Sequence, residues 1–142
     1  PWHWLEQGPH HKGVQTLIKD LNVFYTSEPA MHTADDSWDG FVWIDFRDAL
    51  HSILAFIRQV PDSDEQVIVV CSFTPEVRPG YRIGVPSAGT YKEVLNTDDE
   101  KYGGRGVVNN QPLEAAELTW HDQPYSIQVD LPPLGVIYLK KE

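Results

Sequence analysis

Hydrophobic residues recur at steps of three and four near the start of the chain. They are Val14, Leu17, Ile18, Leu21, Phe24 and Tyr25, which share one stripe of a helix. Gly13 precedes this stretch, and Pro29 ends it because a proline disfavours helical geometry in the residue before it. The pattern predicts one amphipathic helix of about three to four turns.

Beyond the helix, the hydrophobic period changes to two. Short segments rich in valine, isoleucine and aromatic residues alternate there with turn residues. The predicted strands are residues 41–47, 52–59, 66–73, 81–85, 90–96, 113–118, 125–131 and 136–140. Short strands at this spacing predict a mainly β fold, an antiparallel β-sandwich preceded by one helix.

One connection is longer than the others. Residues 97–111 include Gly103, Gly104 and Gly106, and a loop of this length is usually functional or mobile.

The helix needs a partner for its apolar stripe, and the twelve residues before Gly13 offer neither a strand nor a second helix. The chain also starts at Pro1, and its one methionine, Met31, is internal. We therefore expect a piece of a longer protein, in which the last helix of one domain is followed by a complete second domain.

Charge and composition exclude several classes of partner. The net charge of −10 would repel a phosphate backbone, so we expect no nucleic acid partner. Apolar runs are far shorter than the roughly 20 residues that a membrane-spanning helix requires, and we expect neither a membrane span nor a signal peptide. The single cysteine, Cys71, lies in an apolar run and agrees with a reducing, cytoplasmic compartment.

Candidate chemistry is sparse. His3, His10 and His11 lie close together, but neither a CxxC nor an HExxH pattern accompanies them, so we expect no metal and no cofactor. Two acidic runs, 62–65 and 98–100, could in principle collect calcium, but the first lacks the internal glycine and the twelfth-position glutamate of the calcium loop, and we expect solvated turn charges. No serine sits in a GxSxG motif. A carboxylate pair for glycoside chemistry depends on spatial distance, and the sequence nominates none.

The aromatic residues are more informative, since the chain has five tryptophans. Trp43 alternates with Phe41 along a predicted strand, so we expect it in the core. Trp2 and Trp4 precede the helix, and Tyr102 lies beside two glycines in the long loop. These three are the candidate substrate contacts, because flat aromatic faces stack on sugar rings. The alternative for each is packing against a neighbouring domain.

Ten short segments together resemble one family. They are WHWL (2–5), PHHKGVQ (9–15), DLN (20–22), EPAMH (28–32), GFVWID (40–45), SFTP (72–75), YRIG (81–84), EVLNTD (93–98), YGG (102–104) and LPPL (131–134). Their order and spacing are similar to the C-terminal part of bacterial 1,4-α-glucan (glycogen) branching enzymes of the α-amylase superfamily. Ser72 stands where that family commonly has asparagine, and residues 107–110 are less rich in glycine than usual.

The resemblance implies a division of the chain. Residues 1–39 would be the tail of a catalytic (β/α)8 barrel, including its last helix, and residues 40–142 the all-β C-terminal domain. The family transfers an α-1,4-glucan segment to a 6-hydroxyl through a glycosyl intermediate on an aspartate, with a glutamate as acid/base. The motifs of those residues are absent here, so we assign no catalytic residue and expect the chain alone to be inactive.

Three hypotheses remain open. The first is structural support of the catalytic barrel of the same chain, with α-glucan (glycogen) bound through the intact enzyme. The second is a glucan-binding module that uses surface aromatics. The third is self-association through the exposed apolar stripe of the helix.

Overall fold

An N-terminal helical segment precedes eight strands in the computed structural model, which describes all 142 residues. The helices are α1 (Pro9–Ser27) and α2 (Pro29–His32). The strands are β1 (Phe41–Asp48), β2 (Ile53–Gln59), β3 (Gln66–Ser72), β4 (Arg78–Val85), β5 (Thr90–Asn96), β6 (Leu113–Glu114), β7 (Tyr125–Leu131) and β8 (Gly135–Lys141). Single 3-10 turns occupy Trp2–Glu6, Trp38–Gly40 and Glu100–Tyr102. No helix is long and apolar enough to cross a membrane.

The strands form two antiparallel sheets, which confirms the predicted sandwich. The larger sheet has the order β1-β2-β3-β8-β5-β6, and β4 pairs with β7 in the smaller one. All eight predicted strands are present, but the sixth is shorter than the predicted 113–118. It ends at Glu114 because Ala116 leaves β5 and forms a bridge to Ser126 of the smaller sheet.

The core lies between the sheets. Ile83 and Val85 of β4, together with Ile127 and Val129 of β7, pack against residues of the larger sheet such as Ile137. Along the second half of β7, inward residues alternate with outward ones, so one face of that strand is buried. Each buried aliphatic side chain contributes roughly 1.5–3 kcal/mol to folding.

Strand β3 is buried on both faces. Residues 67–70 all lie in the interior, because Ala30 of α2 packs against Val67 and Val69 on the outer face of the sheet. This cover explains why β3 is a continuous apolar run and not an alternating one. Cys71 is half-buried, and burial raises the pKa of its thiol.

Helix α1 ends where the sequence predicts but begins earlier. It starts at Pro9, directly after Gly8, because proline suits the first helical position, where the missing amide hydrogen costs no bond. Gly13, which we expected before the helix, is a buried residue within it.

The expected core position of Trp43 is wrong. Its side chain is 44% exposed, whereas the next residue, Ile44, enters the core. Both alternating sets of β1 are apolar, so Val42 and Ile44 compete with Phe41 and Trp43 for the inner face. The smaller aliphatic pair faces inward, and the aromatic pair lies on the outer face.

Candidate functional site

Helix α1 is joined to the β-sandwich through the loop that follows β5. Tyr102 in this loop is only 7% exposed, and its hydroxyl donates a hydrogen bond to Asp20 Oδ2 at 2.6 Å. Lys101 Nζ lies 3.6 Å from the same oxygen. The Tyr102 hydroxyl, with help from the Lys101 charge, holds the pKa of Asp20 below its ordinary value. Tyr102 therefore joins helix to loop, and its buried ring leaves too little surface to stack on a sugar.

A second contact fixes the C-terminal end of α1. Lys140 Nζ donates to Glu28 Oε2 at 2.8 Å and to Glu65 Oε2 at 3.2 Å. Hydrogen bonding to these carboxylates, chiefly to Glu28, raises the pKa of the Lys140 ammonium. Beside this cluster, the rings of Phe24 and Tyr138 meet edge to face, 5.3 Å between centroids. The helix is thus held near its middle, at Asp20, and at its C-terminal end, at Glu28.

The apolar stripe of α1 is divided by these contacts. Leu17 and Phe24 are half-buried against the rest of the molecule. Val14, Ile18 and Tyr25 keep 58%, 52% and 43% of their surfaces exposed. One side of the helix therefore lies against the sandwich, and an apolar strip, defined here by Val14, Ile18 and Tyr25, remains uncovered.

The long loop after β5 is organised by a buried carboxylate. Asp98 Oδ1 accepts a hydrogen bond from the Arg105 amide at 3.2 Å, and Asp98 Oδ2 accepts one from the Val107 amide at 3.0 Å. The Asp98 amide donates to Asn96 Oδ1, and the Gly106 amide to the Asp98 carbonyl. The expected solvated turn charge is therefore wrong for Asp98, which is buried and supplies acceptors to backbone amides.

The same loop is tied to two strands. Asn109 Nδ2 donates to Glu93 Oε2 of β5 at 2.7 Å, and Asn109 Oδ1 accepts from the Asp130 amide of β7 at 2.8 Å. Burial raises the pKa of Glu93, while the hydrogen bonds from Asn109 oppose that shift. The loop thereby links the two sheets.

An aromatic face covers the outer side of β1 and β2. Trp43 and Phe56 are direct cross-strand partners, and Phe41 stacks on Phe56 with 4.9 Å between centroids. The ring centroids of Phe46 and Trp43 are 5.5 Å apart, and those of Trp38 and Phe41 are 6.3 Å apart. Trp38 is 83% exposed. We call these five residues the aromatic face. The alternation along β1 did not reveal it, because that pattern favours a core position for Trp43.

Trp2 and Trp4 lie on the 3-10 turn before α1, in a different segment of the sequence from the residues of the aromatic face. Trp2 is 84% exposed, and the Trp4 ring lies 5.9 Å from the ring of His11. Both indoles have the free surface that a sugar contact requires. No group of three or more His, Cys, Asp or Glu side chains converges in a geometry that would hold a metal ion.

A polar cleft of about 660 Å³ opens where β1 meets β4. On one wall, the Tyr81 hydroxyl donates to Asp48 Oδ2 at 2.6 Å, and His51 Nδ1 lies 2.8 Å from Asp48 Oδ1. Burial alone would raise the pKa of Asp48, but the hydrogen bonds from Tyr81 and His51 outweigh it and lower the pKa. Burial and the Asp48 carboxylate raise the pKa of Tyr81.

His121, which also lines the cleft, is bound to the β4 backbone. The Gly84 amide donates to His121 Nδ1 at 3.2 Å, and His121 Nε2 lies 3.5 Å from Asp45 Oδ2. An amide only donates, so Nδ1 accepts and the ring proton sits on Nε2, facing Asp45. Burial lowers the pKa of His121. The guanidinium of Arg82 lies over the Trp120 ring, 5.9 Å from its centroid.

No motif in the sequence signals this cleft. Its residues come from segments near 45–51, 77–82 and 120–121, which only the sheet topology brings together.

Sequence comparison finds relatives over nearly the whole chain. The protein family described as "Alpha amylase, C-terminal all-beta domain" matches residues 43–142 of this chain. A 1,4-alpha-glucan branching enzyme from Rubrobacter xylanophilus is 48% identical over 139 residues, 98% of this chain and 19% of that protein. One from Aquifex aeolicus is 46% identical over 141 residues, 99% of this chain and 22% of that protein. The chain thus spans about a fifth of the length of these curated relatives.

Among solved structures, an alpha-amylase from H. orenii has a TM-score of 0.47 and 15% sequence identity. The similarity covers 84% of this chain and 18% of that one.

Proposed function

Because the chain belongs to the family of the alpha-amylase C-terminal all-beta domain, we propose that it is the C-terminal region of a 1,4-alpha-glucan branching enzyme. Such an enzyme transfers an α-1,4-glucan segment to form α-1,6 branches in glycogen. The identity of 46–48% to relatives of that name, across 98–99% of the chain, supports the proposal. The enzyme would act in the cytoplasm without a cofactor.

Within that enzyme, residues 1–39 form the tail of the catalytic barrel, and residues 40–142 form the all-β domain. One observation carries this division. Helix α1 is held to the sandwich by Tyr102 and Lys140 on one side, and bares Val14, Ile18 and Tyr25 on the other. A helix with one packed side and one bare apolar side suits the boundary between two domains.

The role that follows is mechanical support. The upstream barrel carries the reacting carboxylates, and this region covers part of it and fixes the position of its last helix. We assign no catalytic residue to the chain, and by itself it is inactive.

A chimera tests the proposal. In the Rubrobacter xylanophilus relative, the segment that matches this chain is deleted or replaced by residues 1–142. Branching is followed by the fall in iodine-complex absorbance of amylose and by counting α-1,6 linkages after debranching. We expect no activity from the truncated enzyme or from this chain alone, and activity from the chimera.

A matched variant of the chimera examines the bare side of the helix. Ile18→Glu places a charge in the exposed strip and should lower chimera activity or stability, whereas Gln15→Glu on the exposed polar side should not. Activity of this chain alone, or an inactive chimera that is folded, would contradict the proposal.

The aromatic face favours a second, additional function, binding of α-glucan outside the catalytic site. Trp38 and Trp43 offer exposed indoles on one surface, and Trp2 and Trp4 offer two more near the N-terminus. Aromatic rings of this kind stack on the apolar faces of sugars.

Native affinity electrophoresis with amylopectin in the gel tests this function. Retardation that Trp43→Ala or Trp2→Ala weakens would support it, provided the unfolding midpoint stays unchanged. Equal mobility with and without amylopectin would leave mechanical support as the function of this region.

A further inference from the structure

Trp120 sits on a strained turn between β6 and β7. The Trp120 amide donates to the Gln123 carbonyl at 3.0 Å, and the Gln123 amide donates back at 2.9 Å. The two residues between them, His121 and Asp122, have φ angles of 49° and 58°. Residues other than glycine rarely adopt this left-handed conformation, and they keep it only where surrounding contacts over-determine it.

Gly84 supplies those contacts. A β-carbon at Gly84 would lie 2.0 Å from the Trp120 carbonyl oxygen, so glycine is needed for the turn to approach β4 this closely. The Gly84 amide also donates to His121 Nδ1. The turn is therefore locked onto β4, and the indole of Trp120 is held in a fixed place at the cleft.

The cleft has the components of a sugar site. Trp120 keeps 43% of its surface exposed, and Arg82 beside it uses Nη1 to bond Ser126 Oγ at 2.8 Å. The other guanidinium hydrogens of Arg82 make no hydrogen bond within the chain, and His121 Nε2 and Asp45 face each other across 3.5 Å. A rigid aromatic ring with a few convergent donors and acceptors is the usual make-up of a ligand site.

Charges of both signs line the cleft, which suits a neutral ligand with hydroxyl donors and acceptors. Three arginines (Arg47, Arg78 and Arg82) line the cleft together with the carboxylates of Asp45 and Asp48, and Arg78 is already paired with Glu76 at 3.2 Å. An anionic sugar would meet those carboxylates, whereas a neutral polyol can donate hydroxyl hydrogens to them and accept from the guanidinium. The net charge of −10 further disfavours an anion.

We propose that this cleft binds a neutral α-glucan segment. Trp120 supplies the stacking surface, and Arg82, Asp45 and His121 bond the sugar hydroxyls. The choice of glucan as the sugar rests on the proposed function. The site is distinct from the aromatic face and from Trp2 and Trp4.

The test uses the ¹⁵N-labelled chain and maltoheptaose. Five tryptophans give five indole N–H signals, and a single Trp→Phe variant assigns each one. We expect maltoheptaose to shift the Trp120 signal and the amide signal of Gly84 in a saturable way. A Trp120 signal that stays in place while the chain is saturated with maltoheptaose would overturn the proposal.

Variants separate this cleft from the aromatic face. Trp120→Ala should raise the dissociation constant reported by the Gly84 amide about tenfold, and Trp120→Phe by much less because a ring remains. Trp43→Ala should leave that constant unchanged. Near-UV circular dichroism and the unfolding midpoint check folding, and the milder Trp120→Phe and Arg82→Met variants keep the test valid if Trp120→Ala fails to fold.

The result is independent of the chimera experiment. An active chimera with an unshifted Trp120 signal refutes the cleft alone. A shifted Trp120 signal with a folded but inactive chimera refutes the proposed enzyme and leaves a glucan-binding cleft. Equal shifts with maltoheptaose and with a non-glucan control, mannoheptaose, would overturn the choice of α-glucan.

Discussion

Gly13 of α1 lies directly against the backbone carbonyl of Tyr102. A β-carbon built on Gly13 would be 2.4 Å from that oxygen, well inside van der Waals contact. The loop can reach the helix only because position 13 has no side chain, and the Tyr102 hydroxyl then reaches Asp20 on the same side of the helix. The glycine is thus a contact surface within the helix.

Gly13→Ala is expected to destabilise the chain although alanine is the better helix former. Alanine gains about 1 kcal/mol of helix propensity, but a clash with backbone atoms costs roughly 1–3 kcal/mol and separates the loop from the helix. Urea unfolding, with hydrogen exchange of α1 amides, measures the effect. Gln15→Ala, at an exposed position, is the control and should be neutral or slightly stabilising.

Tyr102→Phe is expected to raise the pKa of Asp20 toward its ordinary value. The hydrogen bond from the Tyr102 hydroxyl is the main cause that lowers this pKa. The Asp20 carboxylate therefore stabilises the folded chain above about pH 4, and this stabilisation is lost as the pH falls through the lowered pKa. Carboxyl ¹³C titration of both proteins measures it. An unchanged Asp20 pKa in the variant would show that the hydrogen bond does not form in solution.

Asp98→Asn is expected to loosen the loop after β5. The amide side chain keeps one acceptor oxygen but turns an NH₂ group toward a backbone amide, so one hydrogen bond is lost in a buried site. A cost of about 1–3 kcal/mol follows. Denaturant unfolding and exchange of the Arg105 and Val107 amides report it. Asp64→Asn, at an exposed turn, should cost less than about 0.5 kcal/mol.

Phe24→Ala and Ile18→Ala are expected to lower the free energy of unfolding by clearly different amounts. Phe24 packs on Tyr138, so its truncation should cost about 2 kcal/mol. Ile18 is more than half exposed, so its truncation should lower the free energy of unfolding by less than about 0.5 kcal/mol. Similar losses in the two variants would mean that α1 buries a different side in solution.

His121→Asn is expected to flatten the stability profile below neutral pH. Burial lowers the folded pKa of His121 from 6.5, so the unfolded chain takes up the proton first. The folded state therefore loses stability as the pH falls below about 6.5. Asparagine tolerates the left-handed conformation, can accept from the Gly84 amide and does not titrate.

Unfolding free energies of both proteins at pH 7.5, 6.5 and 5.5 measure this difference. The wild-type value should fall further than that of the variant across the range. Parallel profiles would rule out a buried, neutral His121.

Local sequence patterns are sufficient for the elements and for the family. Pro29 ends α1, and the period-two segments become eight strands, because periodicity and turn chemistry act between near neighbours. The ordered segments from WHWL to LPPL indicate the family by themselves. Helix α1 starts earlier than predicted. Gly13 lies within the helix because the Tyr102 carbonyl packs against it, whereas the local sequence pattern treats a glycine as a helix boundary.

Tertiary structure alone decided which faces are covered and which residues meet. Trp43 lies outside because Val42 and Ile44 fill the core, and Asp98 is buried because the loop folds around it. The cleft joins Asp45, Arg82 and Trp120, which are roughly 40 residues apart along the chain. Periodicity is a property of neighbouring residues, whereas contacts between residues distant in sequence depend on strand order and register, which no local pattern encodes.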